Sequence, residues 1–189
     1  MGDRTAPKKI ASRGGRKCIM SGELETIRDW YAYNSNVRRR YLDSFAKLPK
    51  EELSRDRGAS YPSILDIFEH VLGAYLYWIT GASTGNSALP QVKPPPEGND
   101  STPTTLELVS KEEEQVQSMI KEFLNGLTEE DLDKTFLQRE RKVSVRAMLW
   151  HLVEEELQHR GELNALLWQI DVDPHILSWI DWIEQATLN

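Results

Sequence analysis

Hydrophobic residues recur at helical spacing in four long segments of the chain, approximately residues 22–48, 63–80, 104–127 and 144–170. The second segment has the most regular apolar stripe, formed by Ile64, Ile67, Phe68, Val71, Leu72, Tyr75, Leu76 and Ile79. Amphipathic helices bury such stripes by packing against one another around a common core. The pattern therefore predicts an all-α fold, an up-down four-helix bundle.

The connections between these segments also have readable patterns. Residues 81–101 are rich in proline and glycine, which predicts a long loop crossing the bundle. Residues 128–131 have a capping-box pattern that predicts a short helical turn, and the weak alternation over 136–145 indicates an extended segment. Asp173 and Pro174 end the fourth helix, and residues 176–186 are expected to form a short C-terminal helix.

Composition and charge narrow the classes of function. The chain has 189 residues, 39% of them hydrophobic, and a net charge of −7, which together indicate one globular domain without a nucleic-acid partner. The longest apolar run, residues 71–79, is too short to cross a membrane, so no membrane partner is expected. A single cysteine, Cys18, is typical of a reducing, cytoplasmic location.

The N-terminal segment differs from the rest of the chain in charge. Residues 1–19 contain six Lys or Arg and one acidic residue, and they have no apolar periodicity. We interpret residues 1–20 as a flexible basic tail and residues 21–189 as the bundle domain. The tail is either an upstream extension or a basic arm for an acidic partner.

Polar residues on an apolar helix face indicate chemistry, because burying them without partners costs about 1–3 kcal/mol. In the fourth helix, Glu155 and His159 fall in the middle of an apolar face, and Glu162 and His151 lie at its edge. A carboxylate and an imidazole four residues apart lie on adjacent turns, a spacing that suits one metal ion. The alternative is a solvated pair, because residues 154–156 are three consecutive glutamates.

The first and second helices add three polar residues to this picture. His70 lies at the flank of the second apolar stripe, where it is either a third ligand or a packed histidine. Asn34 and Arg38 share the apolar face of the first helix. A buried arginine needs a carboxylate or an anionic ligand. Arg38 is therefore either in an internal ion pair or in the wall of a substrate pocket beside the metal.

Three segments resemble the DinB-like (YfiT-like) family of metal-binding four-helix bundles: LWHLVEEELQHRGEL at 149–163, SILDIFEHVL at 63–72 and YAYN at 31–34. The resemblance covers residues 25–172. It implies one divalent metal ion bound by His70, Glu155 and His159, with glutamate where the family commonly has a histidine, and with His151 as a substitute ligand. Zinc is the expected metal, with nickel, manganese or iron as alternatives.

Members of this family with known activity join low-molecular-weight thiols to substrates. The resemblance therefore implies a metal-dependent enzyme, a thiol-dependent transferase or a hydrolase, that acts on a small molecule. Asn34 and Arg38 would position the substrate, and Glu162 or His151 is the candidate general base. The alternative is a non-catalytic, stress-related metal-binding bundle that acts as a dimer.

The fourth helix has a second apolar stripe that a single four-helix core would leave uncovered. It consists of Leu149, Trp150, Val153, Leu157, Leu167 and Trp168. The crossing loop, the C-terminal helix with Trp179 and Trp182, or a second subunit could cover it. The C-terminal helix is short, so we expect a homodimer with Trp150 or Trp168 near its interface.

Overall fold

The computed structural model describes residues 22–85 and 104–188, and the predicted all-α fold is confirmed in them. The helices are α1 (Glu23–Phe45), α2 (Lys50–Ser54), α3 (Ile64–Thr84), α4 (Leu106–Asn125), α5 (Val145–Trp168) and α6 (Trp179–Leu188). A 3-10 helix (Glu129–Asp133) and two short strands, β1 (Thr135–Gln138) and β2 (Arg141–Ser144), connect α4 to α5. The four long helices α1, α3, α4 and α5 form the bundle.

Side-chain caps fix where three of the long helices begin. Ser63, Thr105 and Ser144 each accept a hydrogen bond from the backbone N–H three residues later. These bonds satisfy N–H groups that have no partner inside the helix. The predicted capping box is also present, since Thr128 and Asp131 cap the 3-10 helix reciprocally.

Helix α3 is longer than the sequence predicts. It continues to Thr84 and is closed by Gly85, whose φ of 69° is the left-handed conformation that glycine adopts without strain. The predicted crossing loop, residues 81–101, therefore begins four residues too early. Gly81 is buried against Phe136, so the last turns of α3 are covered by the strand pair and remain helical. The rest of that loop lies outside the described residues.

The segment between α4 and α5 contains the predicted extended chain. Strands β1 and β2 pair antiparallel, from Thr135 opposite Ser144 to Gln138 opposite Arg141. Phe136 turns inward and is buried. The short helix α2, by contrast, was not predicted, because only one residue of its single turn, Leu53, is buried.

The core lies where α1 and α3 each pack against both α4 and α5. Aromatic pairs connect α1 to α3 across it: Tyr31 contacts Tyr75 and Phe45 contacts Phe68, with ring centroids 5.8 and 5.5 Å apart in edge-to-face geometry. Such pairs add about 0.5–1.5 kcal/mol beyond the area they bury. These aromatic pairs thus hold α1 and α3 together across the core.

The chain after α5 packs onto α1. The Trp179 ring stacks on the Trp30 ring with centroids 4.1 Å apart and planes 1° from parallel. The Tyr33 hydroxyl donates a hydrogen bond to the Leu177 carbonyl at 2.8 Å. The expected C-terminal helix is present, although it begins at Trp179 rather than at residue 176.

The buried face of α5 corrects two predictions from its sequence. The buried residues are Val145, Met148, Leu149, Leu152, Val153, Glu156, His159, Arg160, Leu163, Leu166 and Leu167. Leu149, Val153 and Leu167 thus belong to one wide core face, not to a second stripe. Glu156, not Glu155, occupies the middle of this face. The apolar stripe in the sequence indicated Glu155, but the buried face is wider than that stripe, and its centre lies about one residue away.

The remainder of the expected second stripe is divided. Trp150 is half-buried and donates a hydrogen bond from its indole N–H to Glu23 Oε1 at 2.9 Å. Leu157 and Trp168 stay 42% and 62% exposed. Of the residues from which the homodimer was predicted, Leu157 and Trp168 are therefore the ones that are exposed.

Two further expectations concern the N-terminal tail and membrane-spanning helices. The predicted basic tail, residues 1–20, lies outside the described residues. None of the helices within 22–85 and 104–188 is long and apolar enough to cross a membrane.

Candidate metal centre

Three predicted ligands from two helices come together at one point between α3 and α5. The Nε2 atom of His70 lies 2.9 Å from Oε1 of Glu155, and Nε2 of His159 lies 3.3 Å from the same oxygen. One ligand atom from each of the three residues lies within 4.8 Å of the others. This group, His70, Glu155 and His159, is called the His–Glu cluster below.

Helix geometry explains why these residues meet. Glu155 and His159 are four residues apart on α5, so their side chains lie on adjacent turns of one face. His70 reaches them from α3, which packs against α5. Glu155 lies at the edge of the buried face with its side chain 21% exposed, whereas the His159 side chain is only 6% exposed. The cluster therefore lies at the boundary between core and solvent.

A second carboxylate orients His159 from the other side of its ring. Nδ1 of His159 is 2.7 Å from Oε2 of Glu162, and the Ser60 hydroxyl donates to the same oxygen at 2.6 Å. Burial raises the pKa of Glu162, but the hydrogen bonds from Ser60 and His159 outweigh it and leave the pKa below its ordinary value. An ionised carboxylate only accepts hydrogen bonds, so this contact favours the tautomer with the proton on Nδ1 and leaves the lone pair of Nε2 able to bind a metal ion.

His70 has the opposite arrangement. Its Nε2 faces the Glu155 carboxylate, so this nitrogen carries the hydrogen, and its Nδ1 is buried without a hydrogen-bond partner among the described residues. Burial lowers the pKa of His70 and outweighs the hydrogen bond to Glu155, which favours the neutral imidazole. Burial also raises the pKa of Glu155, but the hydrogen bond from His70 and the nearby His159 keep that pKa below its ordinary value.

This donor set fits a divalent ion. Two imidazole nitrogens and one carboxylate oxygen form a set found in catalytic zinc sites, which keep a fourth position open. Ligand atoms on one tetrahedral zinc lie about 3.3 Å apart, and this is the separation between Nε2 of His159 and Oε1 of Glu155. The carboxylate that holds His159 is the usual outer partner of a metal-binding histidine.

Comparison with known proteins agrees with the fold and with the family resemblance. The sequence profile of the DinB family matches residues 20–185. The chain belongs to the DinB family. A search of curated proteins found no match.

Two solved structures of DinB-like proteins show the same fold. The protein from Bacillus cereus ATCC 10987 aligns with a TM-score of 0.62 and 18% identity, over 82% of this chain and 95% of that one. The YjoA protein from Bacillus subtilis aligns with a TM-score of 0.54 and 19% identity, over the same shares of the two chains. At these identities the likeness concerns the fold of this DinB-family chain.

The substitute ligand predicted from the sequence lies apart from the cluster. The His151 side chain is 39% exposed, with Nδ1 3.5 Å from Glu154, and its ring packs edge-to-face on Trp78 at 5.1 Å. It is eight residues, about 12 Å along the helix, from His159. Of the histidines on α5, therefore, His159 is the one in the cluster.

The structure places Asn34 and Arg38 in the buried core. Arg38 donates from Nε to Glu113 at 2.7 Å and from Nη1 to Glu156 at 2.6 Å, with less than a tenth of each side chain exposed. Asn34 Oδ1 accepts a hydrogen bond from Arg160 Nη2 at 2.7 Å. These contacts are those of an internal ion pair, the first of the two alternatives that the sequence left open for Arg38. The polar partners of Arg38 among the described residues do not include the His–Glu cluster.

Sequence reasoning missed two residues that line the site, Ser60 and Tyr61. The Tyr61 ring stacks on the His70 ring at 4.2 Å and meets His159 edge-to-face at 5.8 Å. Both missed residues belong to the irregular segment before α3, where no periodicity predicts a direction for a side chain. The one indication in the sequence was their position three and two residues before Ser63, which caps the helix that carries His70.

Proposed function

We propose that this chain is a mononuclear divalent-metal-dependent enzyme, a thiol-dependent transferase or a hydrolase that acts on a small molecule. The observation that carries the proposal is the His–Glu cluster, in which two imidazole nitrogens and one carboxylate oxygen lie within 4.8 Å of one another. Zinc suits this set best, and nickel, manganese and iron are alternatives. Membership of the DinB family supports the same assignment.

In this proposal each residue of the cluster has a separate task. His70, Glu155 and His159 hold the ion, which lowers the pKa of a bound thiol or water and so supplies a nucleophile near neutral pH. Glu162 keeps the proton on Nδ1 of His159 and thereby directs Nε2 into the site. Tyr61 covers one face of the His70 ring and excludes water from it.

Glu162 was a candidate general base, and its contacts support a positioning task instead. Oε2 accepts hydrogen bonds from both Ser60 and His159, so this oxygen is engaged on the side away from the cluster. Asn34 and Arg38 would influence the substrate only indirectly, through the α5 residues that they bind. Arg38 binds Glu156, the neighbour of Glu155, and Asn34 binds Arg160, the neighbour of His159.

Zinc titration of the metal-free full-length protein tests the metal site. We expect one zinc per chain in the wild type and in His151→Ala, the matched control on the same helix. His159→Ala is expected to bind none, while its circular dichroism retains the helical signal. Stoichiometric zinc in His159→Ala, or none in the wild type, contradicts the proposal.

The reaction class is tested on the zinc-loaded protein. The assay combines low-molecular-weight thiols with small electrophilic substrates and repeats each reaction without thiol. Product that requires thiol identifies a transferase, and product formed with water alone identifies a hydrolase. Tight zinc binding with neither product favours the alternative, a non-catalytic metal-binding bundle.

One observation favours the dimeric form expected of that alternative. Leu157 and Trp168 are large apolar residues that stay exposed on α5. We propose that they lie in a homodimer interface. Light scattering at micromolar concentration is expected to give twice the mass of 21.7 kDa for the wild type and the single mass for Trp168→Lys. A monomeric wild type contradicts this assignment.

A further inference from the structure

Four charged side chains form a network inside the bundle, separate from the His–Glu cluster. Arg38 binds both Glu113 and Glu156, and the carboxylate of Glu156 also has Arg160 Nη2 3.7 Å from its Oε1 atom. The Tyr75 hydroxyl donates to the other oxygen of Glu156 at 2.5 Å. This group, Arg38, Glu113, Glu156 and Arg160, is called the buried ion network below.

The network leaves several polar atoms without a partner. Arg38 Nη2, Arg160 Nε, Glu156 Oε1 and Glu113 Oε1 are buried and make no hydrogen bond to any described residue. A buried donor or acceptor in this condition costs about 1–3 kcal/mol, and more when the group is charged. Three of these atoms, on Arg38, Arg160 and Glu156, belong to neighbouring side chains and therefore indicate a missing partner.

A small cavity lies among the same three residues. Arg38, Glu156 and Arg160 line it together with the apolar side chains of Phe68, Val71 and Leu163 and with Tyr41. It leaves about 10 Å³ in which the centre of a water-sized molecule can lie. This space accommodates one water molecule and no organic ligand.

We propose that one ordered water molecule occupies this cavity and completes the buried ion network. The water accepts hydrogen bonds from Arg38 Nη2–H and Arg160 Nε–H and donates one to Glu156 Oε1. Three hydrogen bonds are the usual number for a buried water. An anion would be repelled by Glu156 and a cation by the two guanidinium groups, so the site takes a neutral molecule that both accepts and donates.

The position of this water gives it a role in the architecture of α5. Glu156 and Arg160 directly follow Glu155 and His159 in the chain, and about 100° of helix rotation separates consecutive residues. A water that joins Glu156, Arg160 and Arg38 fixes the rotation of α5 against α1. This water site is formed by the buried ion network and its cavity alone, so it does not depend on the proposed metal chemistry.

A crystal structure of the full-length protein at about 1.5 Å tests the proposal directly. We expect one density peak within hydrogen-bond distance of Arg38 Nη2, Arg160 Nε and Glu156 Oε1. An absent peak at this position overturns the proposal.

A cavity-filling variant provides a second test, because it should raise the stability to urea if the cavity is dry and lower it if the cavity holds a water molecule. Val71→Ile adds one methyl group to the cavity wall, and Val153→Ile is the matched control, since both valines are 4% exposed and Val153 does not line the cavity. If the methyl group displaces a water, Val71→Ile loses the peak and unfolds at lower urea than Val153→Ile. An increase in the urea midpoint of Val71→Ile above the wild type indicates a dry cavity and overturns the proposal.

Discussion

Glu155 and Glu156 are consecutive residues of α5, yet they belong to two polar groups with different chemistry. Glu156 is in the buried ion network, where guanidinium groups that stay charged at any working pH bind it. Glu155 is in the His–Glu cluster, where its partners are two imidazoles that can give up a proton or a lone pair. Two consecutive positions of the helix thus differ in their partners: Glu156 is bound by side chains that keep their charge, and Glu155 by side chains that can change their protonation.

Burial accounts for this difference. The Glu156 side chain is 5% exposed and the Glu155 side chain is 21% exposed. A fully buried carboxylate requires a fixed counter-charge, because removing one partner leaves a charge that water cannot reach. A carboxylate at the core boundary tolerates a change of partner, which a metal site requires. Helix α5 therefore has a carboxylate in a fixed ion network at the centre of its core face, and at the edge of that face a carboxylate whose partners can change.

The adjacent glutamates provide the largest expected effect. In the metal-free protein, Glu156→Ala is expected to lower the free energy of unfolding by about 3–5 kcal/mol, because it leaves Arg38 without one of its two carboxylates. Glu155→Ala is the matched variant and is expected to change it by less than about 1 kcal/mol. Urea unfolding measures both. Equal losses would mean that the two positions are not distinct.

Zinc is expected to stabilise the protein through the His–Glu cluster alone. At a free zinc concentration 100 times the dissociation constant, the free energy of unfolding should rise by about 2.7 kcal/mol. His159→Ala should show no increase, and a chelator should reverse the increase in the wild type. Urea unfolding with and without zinc provides the measurement. The same zinc-dependent gain in His159→Ala would place the site elsewhere.

The carboxylate behind His159 should tune the affinity of the site. Glu162→Gln is expected to weaken zinc binding about 10- to 100-fold, since an outer partner of a metal-binding histidine contributes this much. Glu154→Gln removes a charge from the same helix at a side chain that is 71% exposed, and it serves as the control. Isothermal titration compares the two variants. A similar loss in both would assign the effect to charge alone.

The smallest effect is the movement of one proton. His159 already has its hydrogen on Nδ1, whereas His70 donates from Nε2, so zinc binding through Nε2 should switch the tautomer of His70 only. Nitrogen chemical shifts of the two imidazoles, measured with and without zinc, report this change. A switch at His159, or none at His70 in the zinc-bound protein, contradicts the assigned ligand atoms.

The fold and the pairing of Glu155 with His159 were accessible from the sequence because both depend on local spacing, whereas His70 joined this pair only through the family resemblance. The stripe on α3 indicates its helix directly, and the four-residue interval between Glu155 and His159 indicates a shared face. The wide apolar surface of α5 made its centre ambiguous, so the central position was assigned to Glu155 although Glu156 occupies it.

The partners contributed by distant segments could not be predicted in this way. Arg38 on an apolar face indicated a carboxylate partner, but nothing in the local pattern specifies Glu113, which lies 75 residues further along the chain. Ser60 and Tyr61 reach the cluster from an irregular segment, whose path is fixed by tertiary packing rather than by periodicity.

The stacked indoles of Trp30 and Trp179 have a spectroscopic consequence. Two parallel aromatic chromophores 4.1 Å apart couple their electronic transitions, and the coupling disappears when the rings separate. Far-ultraviolet circular dichroism of this chain should therefore contain an exciton band that reports the attachment of the C-terminal segment to α1. The intensity of this band follows one contact, while the helical signal follows the whole bundle. Heating the protein while recording both would show whether its last helix detaches before the bundle unfolds.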